Sequence, residues 1–99
     1  MEKLKKRLQK FVNERDWNKF HTPENLAKSI MIEGAELLEN FQWGEVSYNS
    51  ENVEEEIADI MIYCIHLTNT LGLDPIEIIN KKMDKNDKRF KKVIEGENN

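Results

Sequence analysis

Two short acidic spacings sit inside otherwise apolar stretches of this 99-residue chain: Glu33-x-x-Glu36 within IMIEGAELL and Glu56-x-x-Asp59 within EEEIADIMIYCI. Carboxylates are seldom set among apolar neighbours unless they are paired or hold a cation, because desolvating an unpaired charge is costly. A spacing of three residues puts both members of each pair on one helix face. Glu33 falls on the line of Ile30, Leu37 and Phe41, and Asp59 is flanked by Ile57, Ile60 and Met61, so neither reads as part of a solvated surface. Glu51, Glu54 and Glu55 do read that way. Brought together, Glu33, Glu36, Glu56 and Asp59 make an all-oxygen cage suited to Mg²⁺, Mn²⁺ or Ca²⁺ rather than to zinc. A di-iron bundle would need Glu-x-x-His, and the residue three before His66 is Tyr63, so His66 reads as a helix-face histidine and not a ligand.

Mg²⁺ is usually held by carboxylates together with substrate phosphates, and two further groups of residues suit a phosphorylated substrate. Lys82, Asn86 and Arg89 recur at i, i+4 and i+7 in NKKMDKNDKRF, a stripe able to donate to phosphate oxygens; taken alone it reads as a solvated basic face. Trp17, Phe20 and His21 fall in a connection, Trp43 closes the next helix, and Tyr63 lies one turn beyond Asp59. Aromatic rings beside a phosphate-binding cation are what a nucleobase pocket requires. Core packing is the competing reading for Phe20 and Trp43.

The elements that must position these groups are helices. The spacing of Leu4, Leu8, Phe11 and Val12 predicts a first helix over about Glu2 to Glu14. Thr22-Pro23 predicts a cap and first-position proline for a second, running to Trp43 and stopping at Gly44. A polar loop, Glu45 to Asn49, leads to Ser50 as the expected cap of a third, which ends at Leu71 before Gly72. Asp74-Pro75-Ile76-Glu77 supplies cap, proline and capping-box glutamate for a fourth, fading near Ile94-Gly96 into a frayed tail to Asn99. Helices of about 20 residues joined by short loops pack as an antiparallel bundle, giving an all-α, four-helix architecture for a single domain over residues 1–99. Ile57, Ile60, Met61, Ile62, Cys64, Ile65 and Leu67 cover nearly all sides of helix three. A helix that is apolar all round is buried all round, which predicts a homo-oligomer, dimer or tetramer.

Composition narrows the class. A formal net charge of -4 argues against a nucleic-acid-coating protein. The basic start, Lys3, Lys5, Lys6, Arg7 and Lys10, reads as a solvated helix face. The single cysteine, Cys64, rules out an internal disulfide framework and suits a reducing cytoplasm. Charges directly after Met1 give no expectation of a signal peptide, and the apolar run Ile60 to Ile65 is too short to span a bilayer.

Together the segments RDWNKFHTPENLAKSIMIEGAELLENFQW, EEEIADIMIYCIHL and KMDKNDKRF resemble the MazG-like nucleotide pyrophosphohydrolases of the all-α NTP pyrophosphatase group, most nearly the dCTP pyrophosphatase branch. The likeness runs from about Arg15 to Phe90, and the ordered set ExxE, ExxD, KxxxN carries it. It implies Mg²⁺-dependent attack of water on the α-phosphate of a nucleoside triphosphate, releasing monophosphate and pyrophosphate. It also implies that Glu33, Glu36, Glu56 and Asp59 are the metal ligands. Trp17 through His21, Trp43 and Tyr63 would line the base and sugar pocket, and Lys82, Asn86 and Arg89 would contact phosphates. Sites completed between protomers are a further implication. Glu33 is the candidate general base, with Glu36 as the alternative. Two positions depart from the pattern: Ala35 stands where a glycine is usual, with Gly34 one place earlier, and the loop between helices two and three is shorter than in the animal dCTP enzymes. Competing readings are a non-catalytic oligomeric interaction module and a house-cleaning hydrolase of dUTP or of oxidised or methylated nucleotides.

Overall fold

The structure, a computed structural model, describes residues 1–44 and 47–93. It contains α1 (Glu2–Glu14), a short 3-10 turn (Asn18–Phe20), α2 (Pro23–Glu39), α3 (Ser50–Leu71) and α4 (Pro75–Arg89), with no strand among the described residues. Local chemistry sets these bounds. Asp16 at φ 55° turns the chain out of α1, with the Trp17 amide donating to the Val12 carbonyl at 3.0 Å. Thr22 Oγ1 accepts from the Asn25 amide at 3.2 Å to cap α2, and Asp74 Oδ2 accepts from the Glu77 amide at 3.0 Å to cap α4. Gly72, left-handed at φ 69°, ends α3, and the Leu73 amide returns to the Thr68 carbonyl at 2.9 Å.

Three expected boundaries shift. The cap of α3 is Asn49, whose Oδ1 accepts from the Glu51 and Asn52 amides at 3.0 and 3.2 Å, so Ser50 is already helical. Regular α2 stops at Glu39 rather than Trp43. There Asn40 Nδ2 donates to the Glu36 and Leu37 carbonyls, and the Phe41 and Gln42 amides bond three residues back, a tightened last turn that reaches Gly44 at φ 103°. α4 ends at Arg89, because Phe90 adopts extended backbone. Glu45 and Val46 of the loop and the tail from Ile94 to Asn99 lie outside the described residues.

The principal packing pair is α2 against α3, and α1 lies along α3. Val12 from α1, Leu26 from α2 and Ile65 from α3 are the buried apolar residues, with Leu26 only 1% exposed. Across the N-terminal end, Asn69 Nδ2 donates to the Lys5 carbonyl and Lys5 Nζ pairs with Asp74 at 3.7 Å. α4 packs only thinly on the rest. One chain therefore does not close the expected bundle by itself. Its radius of gyration is 17.6 Å, where a compact chain of this length measures about 13 Å. Met31 and Leu38 on α2, Ile57 and Met61 on α3, and Ile76, Ile79 and Met83 on α4 face outward. Helix three thus buries only part of its apolar circumference within its own chain.

Candidate functional site

The α2–α3 seam carries the chemistry. Glu33 from α2 and Glu56 and Asp59 from α3 each bring a carboxylate oxygen within 4.8 Å of the other two. A hard cation with oxygen ligands at roughly 2.1–2.5 Å spans such separations. Glu33 Oε2 and Glu56 Oε2 are buried and have no hydrogen-bond donor. Two acceptors facing one another need either a shared proton or a cation between them. In the metal-free protein the proton answers: Glu33 is pushed up to about 7, first by its hydrogen bond to Glu56, then by burial, then by Glu36 and the charge of Asp59. The all-carboxylate donor set and its orphaned oxygens fit Mg²⁺ or a similar hard ion.

Glu36 stands beside this cluster rather than within it. It is exposed, is close enough to Glu33 to hydrogen-bond it, and lines a polar cleft of about 470 Å³ with Glu39, Asn40, Gln42, Asn52 and Glu56. At the other end of the cluster the seam opens into a cavity of about 220 Å³ lined by Trp17, Phe20, His21, Asn25, Leu26, Ser29 and Tyr63. Ser29 is one helical turn before Glu33, and Tyr63 one turn after Asp59, so cavity and carboxylates occupy consecutive turns of the same helix pair. Asn25 Nδ2 donates to the Phe20 carbonyl at 3.0 Å and Thr70 Oγ1 to the His21 carbonyl at 3.4 Å, tying the aromatic turn to α2 and α3.

Four of the expected pocket residues, Trp17, Phe20, His21 and Tyr63, are thus brought together. Trp43 is not among them; it sits on the tightened turn beyond α2, 80% exposed. Nor are Lys82, Asn86 and Arg89. Asn86 approaches the Met83 sulfur, Arg89 lies over its neighbour Phe90 at 5.0 Å, and the α4 that bears all three packs only thinly on the rest of the chain. His66 is not a face open to water but 7% exposed, edge-on to His21 with ring centroids 4.7 Å apart. Burial holds both imidazoles below their ordinary value, and the charge of His21 lowers His66 further. The residues overlooked in the sequence, Asn25, Ser29, Asn40 and Asn52, each lie four positions from a named or newly placed lining residue. Helical spacing was the signal that could have found them.

The helical fold that carries this seam is shared with a solved structure. A crystal structure of a pyrophosphatase from Archaeoglobus fulgidus matches it with a TM-score of 0.87 and 44% sequence identity, covering 93% of each chain. Residues 28–99 match the MazG-like family, and the chain belongs to that family. dCTP pyrophosphatase 1 of Bos taurus is 32% identical over 99 residues, covering 91% of this chain and 59% of the bovine protein. The Homo sapiens protein of the same name is 32% identical over 100 residues, covering 91% and 58%. The chain therefore spans under two thirds of the length of these relatives. Among the described residues no helix is long and apolar enough to cross a membrane.

Proposed function

We propose that this chain is a Mg²⁺-dependent nucleoside triphosphate pyrophosphohydrolase that converts a dCTP-like substrate to its monophosphate and pyrophosphate. The observation that carries the reading is the pair of buried, donor-less oxygens of Glu33 and Glu56, set one turn from an aromatic cavity. Glu33, Glu56 and Asp59, with Glu36 alongside, hold the Mg²⁺ (Mn²⁺ as a substitute). The ion supplies neutralisation of triphosphate charge and acidification of a water. Trp17 and Tyr63 stack and bound the base, and Phe20 and His21 complete the cavity wall. Glu33, through the carboxylate oxygen not used in ligation, takes the proton of the attacking water. The cytosine preference is supported by the relatives named dCTP pyrophosphatase 1.

Lys82, Asn86 and Arg89 act on the triphosphate of a second copy. Support comes from the thin packing of α4 on its own chain, the outward apolar residues Ile76, Ile79 and Met83, and the open polar cleft beside Glu36. Trp43, on the outward turn, belongs to the same assembled site, in a homodimer or homotetramer. The exposed Cys64 thiol suits a reducing cytoplasm. Glu33→Gln tests the reading: pyrophosphate release should fall to background while the helical circular dichroism is kept, and wild-type turnover in that variant would end the assignment.

A further inference from the structure

A second hollow, of about 310 Å³, lies between α1 and α3, lined by Leu4, Arg7, Leu8, Phe11, Ile62 and His66. Two ring pairs separate it from the aromatic cavity of about 220 Å³. In each pair one ring lines each space. Phe11 meets Trp17 edge-on at 5.6 Å between centroids, and His66 meets His21 edge-on at 4.7 Å. Phe11 is held from behind, for the Arg15 guanidinium lies 3.5 Å from its ring centre and donates to the Phe11 carbonyl at 3.0 Å. His66 is 7% exposed, and its ring is also tilted against Tyr63 at 6.3 Å. It therefore backs two walls of the aromatic cavity without lining that cavity itself. Interiors transmit such contacts rigidly, since packed rings have little room to relax.

We propose that His66 is a positioning residue that determines base size: it fixes His21 and Tyr63 and keeps the aromatic cavity closed against the α1–α3 hollow. The inference rests on reading the aromatic cavity as the base pocket. The closed cavity holds a one-ring base between Trp17 and Tyr63. Opening the partition gives a two-ring base space to extend into a hollow walled by Leu4, Leu8, Phe11 and Ile62, with Arg7 as its one permanently charged lining residue.

The test compares wild type, His66→Ala and His66→Phe for binding of dCMP and of dAMP by calorimetry in Mg²⁺, so that no turnover is required. The alanine variant should raise dAMP affinity relative to dCMP by about tenfold or more, and the phenylalanine variant, which keeps a ring in the partition, should retain the wild-type ratio. Loss of general packing alone would weaken both nucleotides together and leave the ratio unmoved. An unchanged ratio in folded His66→Ala overturns the proposal, as does a phenylalanine variant that shifts as alanine does. Should the alanine variant fail to fold, His66→Val serves in its place, with the same direction expected and the same unchanged ratio decisive. Wild-type protein that binds neither nucleotide overturns the base-pocket reading and this proposal with it, a result distinct from failure of the partition alone.

Discussion

Replacing Glu56 by glutamine should make the metal-free protein more stable and the metal-bound protein less so. Above its transition near 7 the Glu33 carboxylate is ionised, and its buried oxygen and that of Glu56 have no donor. The glutamine amide supplies that donor to Glu33 and removes one of two like charges. A hydrogen bond to a charged group contributes about 1.5–3 kcal/mol. Because this seam is partly open to water, about 1–2 kcal/mol is the reasonable gain. A domain of this size moves its melting midpoint by roughly 4–8 °C per kcal/mol, so Glu56→Gln should melt about 4–16 °C above wild type at pH 8 in EDTA. Mg²⁺ reverses the order. Wild type gains RT ln(1 + [L]/Kd), about 2.7 kcal/mol at one hundred times Kd, whereas the variant has lost a ligand oxygen and gains little. Melts followed by circular dichroism in EDTA and across a Mg²⁺ series read both arms. A variant that melts below wild type in EDTA, or keeps the full Mg²⁺ gain, refutes the reasoning that these carboxylates are held in mutual repulsion for a cation.

Acidity gives a second check. Glu33 has its folded value raised to about 7 from 4.5, so its protonated form stabilises the metal-free fold fully below 4.5, and that contribution is lost as pH rises through 7. Mg²⁺ affinity should run the opposite way, weakening below pH 7, and calorimetry in buffers of different ionisation enthalpy should register proton release; no release contradicts the shared proton. Trp17→Ala should raise KM for the preferred nucleotide about 5- to 150-fold, the equivalent of 1–3 kcal/mol of stacking, with kcat nearly kept. A fall in kcat alone would place Trp17 elsewhere. Mixing inactive Glu33→Gln with inactive Lys82→Ala chains should restore part of the activity if Lys82 serves a second copy, and no recovery after subunit exchange speaks for a site built within one chain.

Local rules made much of the fold readable. Thr22-Pro23, Asp74-Pro75 and Gly72 are backbone signals whose hydrogen bonds form within a few residues, so the starts of α2 and α4 and the end of α3 follow from sequence. The end of α2 was less legible because Asn40 competes for carbonyls one turn back, which periodicity does not reveal. Glu33, Glu56 and Asp59 were legible as charges on apolar lines. Glu36 shares the spacing, yet it sits on the outer edge of the seam, a matter of helix rotation that spacing alone leaves open. The aromatic turn Trp17–His21 was legible because rings in a connection have little core to join. Trp43 and the Lys82–Arg89 stripe depend on where a turn and a thinly packed helix point, which no local pattern in the sequence fixes. His66 looked like a face residue because its partner, His21, is 45 positions away in sequence, a contact no local pattern records.

The proposed activity stands or falls on which bond is cleaved. Hydrolysis of dCTP with Mg²⁺ in ¹⁸O-labelled water, followed by mass analysis of the products, should give dCMP carrying the label and unlabelled pyrophosphate. Label in pyrophosphate, release of dCDP and phosphate, or no turnover of any nucleoside triphosphate would contradict it.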